Sequence, residues 1–227
     1  MKVVSSIQGT AAVKYSTDEA LPETAVLTRD LMAFLGDAYN FSQKPQVPSG
    51  LIPPDTFFIF QSGALIIEDK KTPINQLVLG PGAIAVTARN TEIATNILDH
   101  IIGKMDAQFG YKIATSVRAK YYSSNIVIEF DPALENQIAA LDRAQKVLER
   151  EIPRPGYPFA IKRLAFGAEP KPGQMISTSV DDLQNLDFVI ERRAGESFST
   201  NRYFSTAPLK TSEHERVLRL VEEAMRG

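Results

Sequence analysis

The stretch from Asn125 to Ile152 constrains this chain most, because a short apolar strand passes there directly into the most regular helical pattern in the sequence. Ile126, Val127, Ile128 and Phe130 form a run apolar enough to be buried on both faces of a sheet. Asp131 and Pro132 then redirect the backbone. An aspartate accepts hydrogen bonds from a helix's first free N–H groups, and a proline at the first helical position has no N–H to leave unpaired. Leu134, Ile138, Leu141, Leu148 and Ile152 recur at helical spacing, while Asp142, Lys146, Glu149 and Arg150 fall on the other side. The expectation is a helix lying on the sheet that its own strand belongs to. That signal is architectural and carries no chemistry.

The rest of the chain alternates between strand and helix patterns. Val3 to Tyr15 reads as a strand or strand pair with a break at Gly9-Thr10, and Pro22 opens a helix from about Glu23 to Tyr39 that Gly36 could end early. Pro45, Pro48, Pro53 and Pro54 deny the next segment both helix and central strand, and without flanking basic residues the PxxP spacing reads as a connector. Thr56 to Glu68 is a strand with a bulge expected at Gly63. Ile74 to Leu79 and Ala83 to Ala88 follow around Gly80-Pro81-Gly82. Those glycines precede a strand and match no phosphate-loop spacing, so they read as a turn. Thr91 to Phe109 is a second helix, stopped by Gly110. Ile113 to Tyr122 alternates and is expected to form a hairpin with the strand after Ser123-Ser124-Asn125.

Beyond the central helix, Pro153, Pro155 and Pro158 mark a stiff turn into a strand from Phe159 to Ala168, with a bulge near Lys162-Arg163. Leu186 to Ala194 and Phe198 to Thr206 read as a hairpin across Gly195-Glu196-Ser197. Ser212 and Glu215 have capping-box spacing, and Val217, Leu218, Val221, Ala224 and Met225 face inward from a final helix. Hairpins separated by long helices predict an α+β fold, a largely antiparallel sheet with packed helices, in one compact unit over 1–227. The element order also suggests two similar halves, 1–110 and 111–227, a suggestion that different strand orders in the two would sink.

Composition excludes several classes of function. With 25 Lys and Arg against 27 Asp and Glu, no whole-molecule field draws the chain to nucleic acid or an anionic membrane. The absence of cysteine rules out disulfides, thiolate metal sites and cysteine nucleophiles. The N-terminus turns polar before a signal-peptide core forms, and no run approaches the roughly 18 apolar residues of a membrane helix. A cytoplasmic location is expected.

Few residues are placed for chemistry. His100 borders an apolar helix face, and His214 falls on the inner face of the last helix between Glu213 and Glu215. No HxxxH pair, GxSxG elbow or cofactor motif accompanies either histidine, so packing is the simpler reading of His214 and no metal or cofactor is expected. Glu129, in an otherwise apolar strand, reads as a strand-end residue reaching solvent or pairing with an arginine, and Asp181-Asp182 as loop. The remaining constellation is basic: Arg118 and Lys120 on one strand face, Lys162 and Arg163 at the expected bulge, and Arg192 and Arg202 in the late hairpin. A three-residue loop would put these last two on one face beside Phe188, Ile190 and Phe204. Together with His214 these form a tentative binding set. The sequence is read as a non-enzymatic binding or assembly component acting through protein contacts or self-association. The alternative is a nucleotide- or RNA-binding or RNA-processing module using a basic sheet face.

Overall fold

A computed structural model gives the fold over residues 1–20, 29–46, 56–67, 70–131, 133–152, 159–167 and 187–226. Pro22, Pro48, Pro53, Pro54, Pro132, the prolines at 153, 155 and 158 and the Asp181-Asp182 loop lie outside the described residues. In chain order the elements are β1 (Lys2–Tyr15), α1 (Thr17–Ala20), α2 (Arg29–Ala38), β2 (Phe58–Ile67), β3 (Lys70–Gly80), β4 (Ala83–Ala88) and α3 (Thr91–Phe109). There follow β5 (Val117–Glu129), α4 (Leu134–Gln137), α5 (Ala139–Glu151), β6 (Arg163–Phe166), β7 (Phe188–Arg192), β8 (Arg202–Ala207) and α6 (Thr211–Arg226).

The strands form one antiparallel eight-stranded sheet in the order β2-β3-β4-β1-β5-β8-β7-β6. The fold is therefore mixed α+β with an antiparallel sheet, as the patterning predicts. Successive strand residues point to opposite faces, so Tyr122, Ser124, Ile126 and Ile128 share one face of β5. Tyr122 packs on a core built from Ala11, Val13, Phe60, Leu77 and Val86 of the sheet with Leu31, Leu35, Ile97 and Ile101 of α2 and α3. Ile126 and Ile128 join Ile190, Tyr203, Leu134 of α4 and Leu218 of α6 in a second core. Thus α2, α3, α4 and α6 all pack on the same side of the sheet.

The middle of the sheet is the β1–β5 pair, where Gly9 lies opposite Ser124. A methyl group on Gly9 would stand 2.1 Å from the Thr91 backbone nitrogen, so only glycine lets the first turn of α3 rest on the strand. Gly9 is thus a contact point within an unbroken β1, and the expected break is absent. Nearer its start, register shifts between Val3 and Ser5 and between Ser6 and Gln8 leave Val4 and Ile7 as extra residues, 38% and 44% exposed.

Several local expectations are corrected. Gly36 lies within α2. At Gly63 the register does not shift between Gln61–Gln76 and Gly63–Ile74, and the irregularity is at Ser62, which takes a positive φ of 56°. The glycine is needed there because the Phe41 ring would lie 2.5 Å from any Cβ. The hairpin expected around Ser123-Ser124-Asn125 is instead the middle of the single strand β5. Each of these polar residues has a backbone partner position on β1, and Ser124 has a buried side-chain partner, so nothing forces a turn. The late hairpin closes through residues 193–201, with a short 3₁₀ turn at Phe198–Thr200. At Lys162-Arg163 there is no bulge; β6 begins at Arg163.

The central helix departs furthest from expectation. It divides at Ile138 (φ −119°, ψ 100°) into α4 and α5, and the N-cap position of α4 is Ala133, with no side-chain cap from Asp131. Val147, Leu148 and Ile152 of the second piece are 48%, 42% and 43% exposed. Among the described residues, Leu134, Leu218, Val221 and Met225 cover that side of the sheet, and α5 adds none to that core.

Candidate functional site

Helices α3 and α6 begin side by side over the middle of the sheet. The Thr91 amide donates to Thr211 Oγ1 at 3.1 Å, and the Thr211 amide donates back to Thr91 Oγ1 at 2.7 Å. Two positive helix ends in contact repel, and Glu92 offsets this by accepting from the Ser212 amide at 3.2 Å. Burial would raise the Glu92 carboxyl, but hydrogen bonds from its own amide, Ser212 and Thr91 prevail and hold it below the ordinary carboxylate range. The spacing of Ser212 and Glu215 suggested a local capping box, yet the Ser212 amide is met by Glu92, a residue of the other helix.

One turn into α6, His214 is fully buried. Its Nδ1 lies 2.8 Å from Ser124 Oγ and its Nε2 lies 2.9 Å from Ser205 Oγ. Ser205 spends its single hydroxyl proton on the Val189 carbonyl at 2.8 Å. It therefore accepts from Nε2–H, and Nδ1 accepts from Ser124. This is the neutral imidazole, and burial pushes its pKa down to about 4. The Phe188 ring meets it edge-on at 5.6 Å. The arrangement fastens α6 to β5 and β8.

The basic residues singled out in the sequence are scattered. Arg118 pairs with Glu19 of α1, both more than half exposed, and is the extra residue where the β1–β5 register shifts, while Lys120 lies exposed on the helix-bearing face of β5. Lys162 and Arg163 are exposed at the β6 edge. Arg192 pairs in register with Tyr203, so Arg202, the next residue along β8, faces the other way. The shared face expected for Arg192 and Arg202 is thus corrected by the longer connection. Arg192 is 7% exposed, donates from Nε to the Ile161 carbonyl at 3.0 Å, and sets its guanidinium 4.9 Å from the Tyr203 ring centre. Arg202 reaches Glu129 at 3.4 Å and Glu196 at 3.8 Å, the first being one of the two placements expected of Glu129.

A different surface does gather residues from many strands. On the face opposite these helices, Gln8, Thr10 and Ala12 of β1 lie beside Asn125, Ser123 and Tyr121 of β5. Thr87 and Ala85 of β4 continue the row on one side, and Thr206, Phe204 and Arg202 of β8 continue it on the other. Thr10 and Thr87 share a hydrogen bond of 3.0 Å, and Thr206 Oγ1 donates to Asn125 Oδ1 at 3.0 Å. Towards the β6–β5 end of this face Lys2 and Arg202 flank Glu129, and Arg163 faces Glu191. Sequence reasoning missed this surface because its members are single residues from separate strands, gathered only by strand order.

Among the described residues no helix is long and apolar enough to cross a membrane, and no group of three or more histidine or carboxylate side chains is placed to hold a metal. No protein-family model matches the chain. No curated protein matches it either. Among solved structures it is similar to a protein described as Methanococcus jannaschii TBP, at 11% identity and a TM-score of 0.41, over 98% of this chain and 96% of that one.

Proposed function

We propose that the chain is a non-enzymatic, cytoplasmic binding or assembly component that meets a protein partner through the face of its sheet opposite α2, α3, α4 and α6. The observation that carries this reading is the character of that face. Its centre is uncharged, made of amides, hydroxyls, small side chains and Tyr121, with Lys14 at one end; towards the β6–β5 end Glu129 stands between Lys2 and Arg202, and Glu191 stands opposite Arg163. A surface built to hold phosphates would gather cations at its centre, whereas a polar surface with an uncharged centre and aromatic residues suits a protein partner. We also read the chain as two similar halves. In support, each half orders its strands from sheet edge to centre as second, third, fourth and first, and the reciprocal Thr91 and Thr211 bonds lie where the halves meet.

Native mass spectrometry on gently purified protein and on Tyr121→Lys tests the proposal. A discrete oligomer or protein complex, lost in the variant while its circular dichroism is unchanged, is the expected result. A monomer under all conditions overturns it. A retained nucleotide or RNA mass would favour the alternative and direct attention to Lys120, Lys162 and Arg163.

A further inference from the structure

A cleft of about 250 Å³ opens between α2, α3 and β2, on the helix-bearing side and away from the face just described. Phe34 and Ala38 of α2 and Leu65 and Ile66 of β2 give it an apolar wall. Ile66 is 54% exposed, an aliphatic side chain left in water at the rim. Along the other side, His100, Lys104 and Gln108 recur every four residues and so stand in one line on α3. None of the described residues lining the cleft carries a carboxylate.

The polar side of the cleft is pre-set. Tyr39, 1% exposed, places its hydroxyl 2.9 Å from His100 Nδ1, and the two rings meet edge-on at 5.9 Å. A buried hydroxyl is costly if its proton goes unbonded, so Tyr39 donates to Nδ1 and leaves the imidazole proton on Nε2, a free donor. Burial raises the Tyr39 phenol, which stays protonated in this role. Burial and then the nearby Lys104 ammonium hold His100 below its ordinary value, so a neutral imidazole N–H stands beside the Lys104 ammonium.

We propose that this cleft binds a small organic carboxylate, its apolar body against Phe34, Ala38, Leu65 and Ile66 and its carboxylate between Lys104 and His100. A cation is repelled by Lys104, and a neutral apolar molecule gains nothing from the ammonium and imidazole donors. The volume lies below the roughly 300–1,000 Å³ of sites for drug-sized ligands, so the occupant is no larger than a single ring or a short acyl chain. Affinity for so small a ligand is about millimolar.

The test is a two-dimensional amide NMR titration of the full chain with sodium benzoate, benzyl alcohol and inorganic phosphate in parallel. Saturable benzoate shifts confined to residues around His100, Lys104, Leu65 and Ile66 are expected, with benzyl alcohol and phosphate each at least about tenfold weaker. Lys104→Met should weaken benzoate by about tenfold, while Lys146→Gln on α5 leaves it unchanged. Equal binding of benzyl alcohol, or unchanged binding to the Lys104 variant, overturns the assignment of the charge. Absence of saturable shifts at tens of millimolar benzoate overturns the site. Because the comparison of ligands uses the native chain, the result stands even if a variant folds poorly.

Discussion

Taking the protein from pH 7 to pH 4.5 should remove about 2.5 kcal/mol of stability through His214 alone. The unfolded imidazole titrates at 6.5 and the native one at about 4, because burial between Ser124 and Ser205 keeps it neutral. Below pH 6.5 the unfolded chain takes up a proton that the native state refuses. Stability is therefore full above that value, falls as the pH drops, and levels off below about 4. Urea unfolding followed by far-ultraviolet circular dichroism at the two pH values, on the native chain and on His214→Asn, isolates the contribution. Carboxylates such as Glu92 lose stability in the same direction, but they do so in both proteins and cancel in the double difference. A pH dependence that matches in the two proteins to within about 0.5 kcal/mol would show that the neutral buried imidazole is not what resists protonation. Should the variant prove too unstable at pH 4.5, imidazole NMR decides the matter on the native chain, since His214 must show no titration above about pH 5.

Further expectations follow from packing. Gly9→Ala forces a methyl group onto the Thr91 backbone and should cost more than about 3 kcal/mol in urea unfolding, or abolish soluble folded protein. Arg192→Ala, which strips a buried guanidinium from the Tyr203 ring and the Ile161 carbonyl, should cost about 2 kcal/mol or more, whereas Arg202→Ala should cost under about 1 kcal/mol because its ion pairs are half exposed. Equal costs in calorimetry would contradict the opposite facing of the two arginines. Leu148→Ser on α5 should change stability by less than about 0.5 kcal/mol, while Leu218→Ala on α6 should cost about 2–5 kcal/mol.

Helix α3 was legible in full because every signal for it is local: its apolar period, and Gly110 in the left-handed conformation (φ 69°) that ends it. Of the face expected of α6, Leu218, Val221 and Met225 pack inward, while Ala224 is exposed and Glu222 is buried. The segment after Phe130 carried an equally regular pattern and misled, since periodicity reports that a helix has an apolar side without reporting whether any surface is free to receive it. Ser123-Ser124-Asn125 resembled a turn because polar residues in a strand find their partners, here Gln8, Gly9, Thr10 and His214, only through contacts distant in sequence.

The sequence by itself determined the α+β class, the antiparallel character of the sheet and the two inward-facing helices α3 and α6, because each rests on spacing within one segment. Only the tertiary structure decided the strand order, the single face on which α2, α3, α4 and α6 gather, the opposite orientations of Arg192 and Arg202, and the cleft beside His100. A strand's neighbours and the register between them are chosen by the burial of many side chains at once, so a one-residue change in a connection reverses a face that no local pattern can specify.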